Sequence, residues 1–343
     1  MAESEQRRGR IWPGLVAAGA GAAAVGAAWA AQHRVVSRST ATSEEVVGEG
    51  LALPGDLRHH FVEMDDGGRI HVVERGQGPP VVLLHGFSLS VATWTHQLRD
   101  LAPRYRVIAL DLRGHGQSLP GRAGLGGGVG RLAEDLLTVL DALEVGPALL
   151  VGHSMGGMIS LEALLRVSAA DREGLVSGLA LVSTTGGPIF GFPGYRILAR
   201  LGGPVAARGL SLAARSGIEG LPSGDLRWWA SRMGFGPEAP PAQVRFVEAM
   251  SSTTPLATVA ALAGVLGSFD VSGRLGELEV PTLVVVGSKD RMLPPRHARA
   301  LAAGLPQAEL VELPRCGHMP MLERRFEFSR LLGEFDEKVA VGH

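Results

Sequence analysis

Six residues, Gly152-His153-Ser154-Met155-Gly156-Gly157, constrain the fold of this chain more than any others. They follow the apolar run Leu149-Leu150-Val151 and precede Met158-Ile159-Ser160-Leu161-Glu162-Ala163, so they join a strand to a helix with almost no loop between. A serine at such a junction sits on a sharp, strained turn, and glycines two positions to either side remove side chains that would collide with neighbouring backbone. The hydroxyl is then raised at the edge of a sheet. The following helix aims its positive end at that point, which puts the Met155 N–H where it can stabilise negative charge developing on a substrate oxygen. A chain with this junction needs a sheet beneath the serine and helices beside it.

The rest of the sequence supplies both. Val81 to Leu84, Val107 to Leu110, Leu149 to Val151, Leu179 to Val182, Val284 to Val286 and Leu310-Val311 are short apolar runs, as expected for strands buried on both faces of a parallel sheet. Leu132, Leu136, Leu137, Leu140 and Leu143 recur at helical spacing and predict a crossover helix with one buried face. Asp65-Asp66-Gly67-Gly68, between Phe61 to Glu63 and Ile70 to Val73, predicts an antiparallel hairpin at the entry. From about 186 to 273 the alternation stops and Gly, Pro and Ala-rich helical pieces take over around Trp228-Trp229, which reads as a helical cap inserted between two parts of one sheet.

A serine hydroxyl is a weak nucleophile until a base takes its proton, and the base needs a third group to orient it. In this type of site the order along the chain is serine, acid, histidine. After Ser154 only His297, His318 and the terminal His343 are available. His297 lies in a helix start, whereas His318 follows the strand-like Leu310 to Leu313 and the turn Pro314-Arg315-Cys316-Gly317, so His318 is the candidate base. Asp290 follows the strand Leu283 to Val286 and is the candidate acid; the end of the preceding strand offers Ser183, Thr184 and Thr185 but no carboxylate. A second oxyanion donor is expected in the loop after Val81 to Leu84, where His85-Gly86-Phe87 places the Phe87 N–H.

Together with Asp111-Leu112-Arg113-Gly114-His115-Gly116-Gln117-Ser118, Gly287-Ser288-Lys289-Asp290 and Gly317-His318, these motifs resemble the α/β hydrolase superfamily over about residues 58 to 338. The resemblance implies an α/β hydrolase fold with a mainly parallel eight-stranded sheet, no cofactor and an acyl-enzyme route. Ser154, His318 and Asp290 are then the catalytic residues and Phe87 and Met155 the oxyanion donors. One departure is Glu323-Arg324-Arg325, where relatives often carry Glu-x-Pro; it is expected to affect the last helix and not the chemistry. Asp111 and Arg113 are expected to brace the loop beside the nucleophile. His153, Trp94, Trp228 and Trp229 are candidate pocket residues, with core packing the competing explanation for each. The histidines lie on separate loops without ligand spacing, so no metal site is expected.

The formal net charge of −1 gives no reason to expect a nucleic-acid partner and suits a small, weakly charged substrate. The single cysteine, Cys316, excludes an internal disulfide and reads as a small buried residue. Residues 1–40 differ in texture: Arg7, Arg8 and Arg10 precede an uncharged run from Ile11 to Ala31, long enough to span a bilayer but dominated by Ala and Gly. A membrane anchor is expected there, with a cleaved export signal or a packed soluble helix as rivals, and 41–57 reads as a linker. The leading functional expectation is a carboxylic ester hydrolase acting on a small ester or acyl substrate. A cofactor-free haloperoxidase or perhydrolase and a carbon–carbon bond hydrolase are enzymatic alternatives. A ligand-binding receptor on the same fold is the non-enzymatic one.

Overall fold

The computed structural model describes residues 50–189 and 224–342. Eight strands form one sheet: β1 (Arg58–Glu63), β2 (Arg69–Arg75), β3 (Pro80–Leu84), β4 (Arg106–Leu110), β5 (Ala148–His153), β6 (Val176–Val182), β7 (Thr282–Gly287) and β8 (Ala308–Leu313). Their spatial order is β1-β2-β4-β3-β5-β6-β7-β8. β1 and β2 form the expected hairpin, closed by the Met64 N–H to the Gly68 carbonyl at 2.8 Å with Gly67 at φ +76°. β2 runs antiparallel to β4, and every later pairing is parallel. The central strands are buried on both faces, which is why their sequences are continuous apolar runs and not alternating ones.

β4 lies on one side of β3 and β5 on the other, so the winding direction reverses there. In open parallel sheets such a reversal parts the loops at the carboxyl ends of the two diverging strands and leaves a crevice between them. Here those loops carry Gly86 and Ser154. The helix Gly128–Ala142 turns Leu132, Leu136, Val139 and Leu140 into the core, confirming the spacing of its leucines, and the helix Met155–Arg166 packs beside it.

The interval between β6 and β7 holds, among the described residues, the helices Gly224–Met233, Pro241–Ser252 and Leu256–Ser268. The Val271 N–H donates to the Gly186 carbonyl at 2.8 Å, so this excursion leaves and rejoins the sheet at one place. Its middle helix also reaches the loop after β3, where the Ser90 N–H meets the Met250 sulfur at 3.1 Å.

The expected linker at 41–57 is described only from Gly50, and there the structure corrects it. Leu51 is buried, the Thr95 hydroxyl donates to the Ala52 carbonyl at 2.6 Å, and Arg99 donates to the Gly50 carbonyl at 2.8 Å. These residues belong to the packed domain because they cover the apolar surface around Leu98 and Leu101, which the sequence alone does not display. The Ile11 to Ala31 run lies outside the described residues. Among the described residues no single helix is long and apolar enough to cross a membrane.

Candidate active site

Ser154 occupies the apex between β5 and the helix Met155–Arg166 with φ 53° and ψ −115°, a positive-φ conformation that costs a non-glycine residue on the order of 1–3 kcal/mol. The strain is held from both sides: the Ser154 N–H donates to the Val182 carbonyl at 2.9 Å, and the Ser154 carbonyl accepts from the Thr184 hydroxyl at 2.6 Å. The flanking glycines are dictated by space. A Cβ on Gly152 would lie 2.6 Å from the Gly157 backbone, and one on Gly156 would lie 2.4 Å from the Leu84 carbonyl oxygen.

The loop after β3 closes on the serine. A Cβ on Gly86 would meet the Ser154 Cβ at 3.2 Å and the His153 ring at 2.8 Å, so only glycine brings this backbone so near. The N–H groups of Phe87 and Met155 have no acceptor among the described residues, which leaves two backbone donors free beside the nucleophile.

Asp290 and His318 stand on the loops after β7 and β8 and meet at 2.8 Å between Asp290 Oδ2 and His318 Nδ1. The other carboxylate oxygen, Oδ1, accepts the N–H groups of Met292 and Leu293, each at 2.9 Å. With both oxygens acting as acceptors, the histidine must present an Nδ1–H donor and keep Nε2 for other work. Both side chains are almost wholly buried. His318 is held beside the nucleophile turn by His153, whose Nε2 donates to the His318 carbonyl at 2.9 Å and whose ring lies 4.9 Å from the His318 ring. The Ser154 hydroxyl has no hydrogen-bond partner among the described residues. Bonds between nucleophile and base commonly tighten only when substrate is bound.

Asp111 and Arg113 brace the neighbouring loop. Asp111 is buried and accepts from His71 Nδ1 at 2.7 Å, the Val91 N–H at 2.8 Å and the Gln117 N–H at 2.9 Å. Burial alone would raise its carboxyl, but the His71 hydrogen bond, the nearby His85 and these two N–H groups together hold it below the usual range. The Arg113 guanidinium, with no exposed surface, bridges Asp135 at 2.6 Å and Asp66 at 2.8 Å. Burial pushes the imidazoles of His85 and His153 down, helped by His115 beside the first and His318 beside the second. Burial also pushes the Cys316 thiol up, so Cys316 is a packing residue.

Of the four candidate pocket residues, His153 alone touches the Asp290–His318 pair directly. Trp94 has no exposed surface and stacks on Phe328 at 6.4 Å, which makes it core packing. Trp228, on the cap helix Gly224–Met233, is buried and meets the half-exposed Trp229 edge-on at 5.0 Å. Sequence reasoning passed over Glu323, whose carboxylate accepts N–H groups on both sides of His318. Its position five residues beyond the histidine was the available signal.

Over residues 79–325 the sequence matches the family described as the alpha/beta hydrolase fold. The chain belongs to the α/β hydrolase family. It is 31% identical over 269 residues to a pimeloyl-[acyl-carrier protein] methyl ester esterase of Chromobacterium violaceum, covering 77% of this chain and 97% of the relative. It is 30% identical over 293 residues to a 2-hydroxy-6-oxo-6-phenylhexa-2,4-dienoate hydrolase of Burkholderia cepacia, covering 80% and 95%. Among solved structures, a thermophilic esterase from Thermogutta terrifontis superposes with a TM-score of 0.67 at 28% identity, covering 82% of this α/β hydrolase and 99% of that one.

Proposed function

We propose that this α/β hydrolase is a serine hydrolase that cleaves small carboxylic esters through an acyl-enzyme. The observation that carries the reading is the buried 2.8 Å Asp290–His318 hydrogen bond, held against the strained turn that bears Ser154. His318 Nε2 takes the Ser154 proton as the oxygen attacks the ester carbonyl, and the free N–H groups of Phe87 and Met155 receive the oxyanion. His318 then protonates the leaving alkoxide, and water attacks the acyl group with His318 again as base. Asp290, fixed by Met292 and Leu293, holds the imidazole in the tautomer that this sequence of steps requires.

The dienoate-hydrolase relative supports a second reading, cleavage of a carbon–carbon bond beside a carbonyl. That reaction also needs a proton delivered to a carbon leaving group, and ester cleavage asks for nothing beyond the groups assigned. The ester reading is therefore preferred. The test is labelling with an alkyl fluorophosphonate alongside a panel of p-nitrophenyl esters of increasing acyl length and one dienone acid, with Ser154→Ala as control. The wild type is expected to label and to turn over at least one ester, and Ser154→Ala to do neither. Normal ester turnover in Ser154→Ala would end the serine mechanism, and turnover of the dienone alone would favour the second reading.

A further inference from the structure

We propose that Glu323 is a positioning residue for the His318 imidazole and that it fastens the histidine loop to the helical cap; this rests on the triad proposed above. Glu323 ends the short helix Pro320–Glu323, which begins two residues after His318. Its Oε1 accepts the N–H of Gly317 at 2.9 Å and of Met319 at 3.3 Å, the residues on either side of His318. Its Oε2 accepts the N–H of Gly236 at 2.7 Å, from the stretch joining two cap helices. One carboxylate thus binds the loop twice and the cap once.

The same stretch of cap holds the histidine itself. The His318 N–H donates to the Gly234 carbonyl at 2.7 Å, while the His318 carbonyl accepts from His153. The two backbones pass so close that a Cβ on Gly317 would lie 2.4 Å from the Gly236 nitrogen, and one on Gly236 would lie 2.2 Å from the Arg315 carbonyl oxygen. Glu238 continues the contact with ion pairs to Arg324 at 3.0 Å and Arg315 at 2.5 Å. Those exposed pairs add little; the Glu323 carboxylate, facing three N–H groups, supplies the strong charge-assisted bonds.

Burial raises the Glu323 carboxyl while the N–H groups of Gly236, Gly317 and Met319 oppose the rise. A group placed against that penalty for helix stability alone would have no reason to bracket the histidine. A displacement of catalytic geometry by about 1 Å can cost about 100-fold in rate, and Glu323 stands where removing it would permit one.

The test uses the full-length chain, p-nitrophenyl butyrate as substrate and the downfield proton resonance of the Asp290–His318 hydrogen bond as a spectroscopic readout. Glu323→Ala is expected to lower kcat by about 10- to 100-fold with KM within about threefold, and to shift or broaden the downfield resonance while near-ultraviolet circular dichroism stays native. Glu323→Gln keeps one acceptor oxygen but turns an NH2 toward a backbone N–H. It should recover part of the loss, leaving kcat about threefold or more below wild type. A folded Glu323→Ala with wild-type kcat and an unchanged resonance would overturn the proposal. If Glu323→Ala does not fold, Glu323→Gln decides by the same two readouts. Ser154→Ala and His318→Ala run beside them: turnover in either removes the triad and this proposal together, whereas loss in both with wild-type behaviour at Glu323 removes only the positioning role.

Discussion

Acidification from pH 7.5 to 5.5 should destabilise this protein well before its ordinary carboxylates titrate. Three buried imidazoles surround the nucleophile turn: His85, His115 and His153, none more than 1% exposed. His85 donates from Nδ1 to the Gly86 carbonyl at 2.7 Å and accepts the Leu112 N–H at Nε2, 3.0 Å away. His115 donates from Nδ1 to the Arg113 carbonyl at 3.1 Å and accepts the Ser88 N–H at Nε2, 3.2 Å away. A second proton on either ring would set N–H against N–H, and burial opposes the charge as well. Burial, with His115 nearby, pushes His85 down to about 3 from 6.5; burial lowers His115, and burial with His318 lowers His153 well below the same value.

The sign follows from linkage. Above pH 6.5 the folded and unfolded chains both hold these rings neutral, and their contribution to stability is fully present. As pH falls below 6.5 the unfolded chain takes up protons that the folded chain refuses, and stability is lost until the depressed folded values are reached. At pH 5.5 the loss is about 1.4 kcal/mol for His85 and about as much for His96, which burial beside Arg325 pushes down to about 4, and His115, His153 and His297 add in the same direction, against a typical total of about 5–15 kcal/mol. Glu323 and Asp336, whose carboxyls burial raises, act with the opposite sign and offset part of it. Urea unfolding followed by tryptophan fluorescence at pH 7.5, 6.5 and 5.5 measures the slope, and His115→Gln should flatten it. Stability constant to within about 1 kcal/mol across that range would refute the assignment of these rings as neutral.

Two further outcomes are expected. Replacing Arg113 by Met leaves the carboxylates of Asp66 and Asp135 with the longer contacts to Arg131, at 3.4 and 3.5 Å, and should lower the urea-unfolding free energy by about 3 kcal/mol; a loss below about 1 kcal/mol would contradict the bracing role. Removing residues 1–40 should carry the chain from the membrane fraction to the soluble fraction with ester turnover unchanged, because every proposed catalytic group lies beyond residue 80 and the packed stretch from Gly50 is retained. Recovery of the full-length chain in the soluble fraction would remove the anchor proposal.

Much of the fold was legible in the chain because its signals are local. The strand-to-helix junction at Ser154 needs particular residues within a few positions: glycines where an added Cβ would lie 2.4–2.6 Å from other backbone atoms, a continuous apolar run before it and a helix after it. The buried strands announce themselves by unbroken apolar runs, the crossover helix by leucines at helical spacing and the entry hairpin by its two glycines. The pairing of Asp290 with His318 was legible only through chain order and the placement of each after a strand.

What the tertiary structure decided involves groups far apart in the sequence, whose partners no local pattern encodes. Leu51 and Ala52 look like linker until the surface around Leu98 and Thr95 is brought beneath them. Trp94 and Trp229 are both candidate pocket residues in the sequence, with core packing favoured for the first, and the fold gives the first to Phe328 and leaves the second half-exposed on the cap. Glu323 is one carboxylate in a charged stretch until the fold sets Gly236, 87 positions earlier in the chain, 2.7 Å from it. A hydrophobic period specifies which face of an element is buried, but the direction of a hydrogen bond depends on which other backbone the fold delivers to that face.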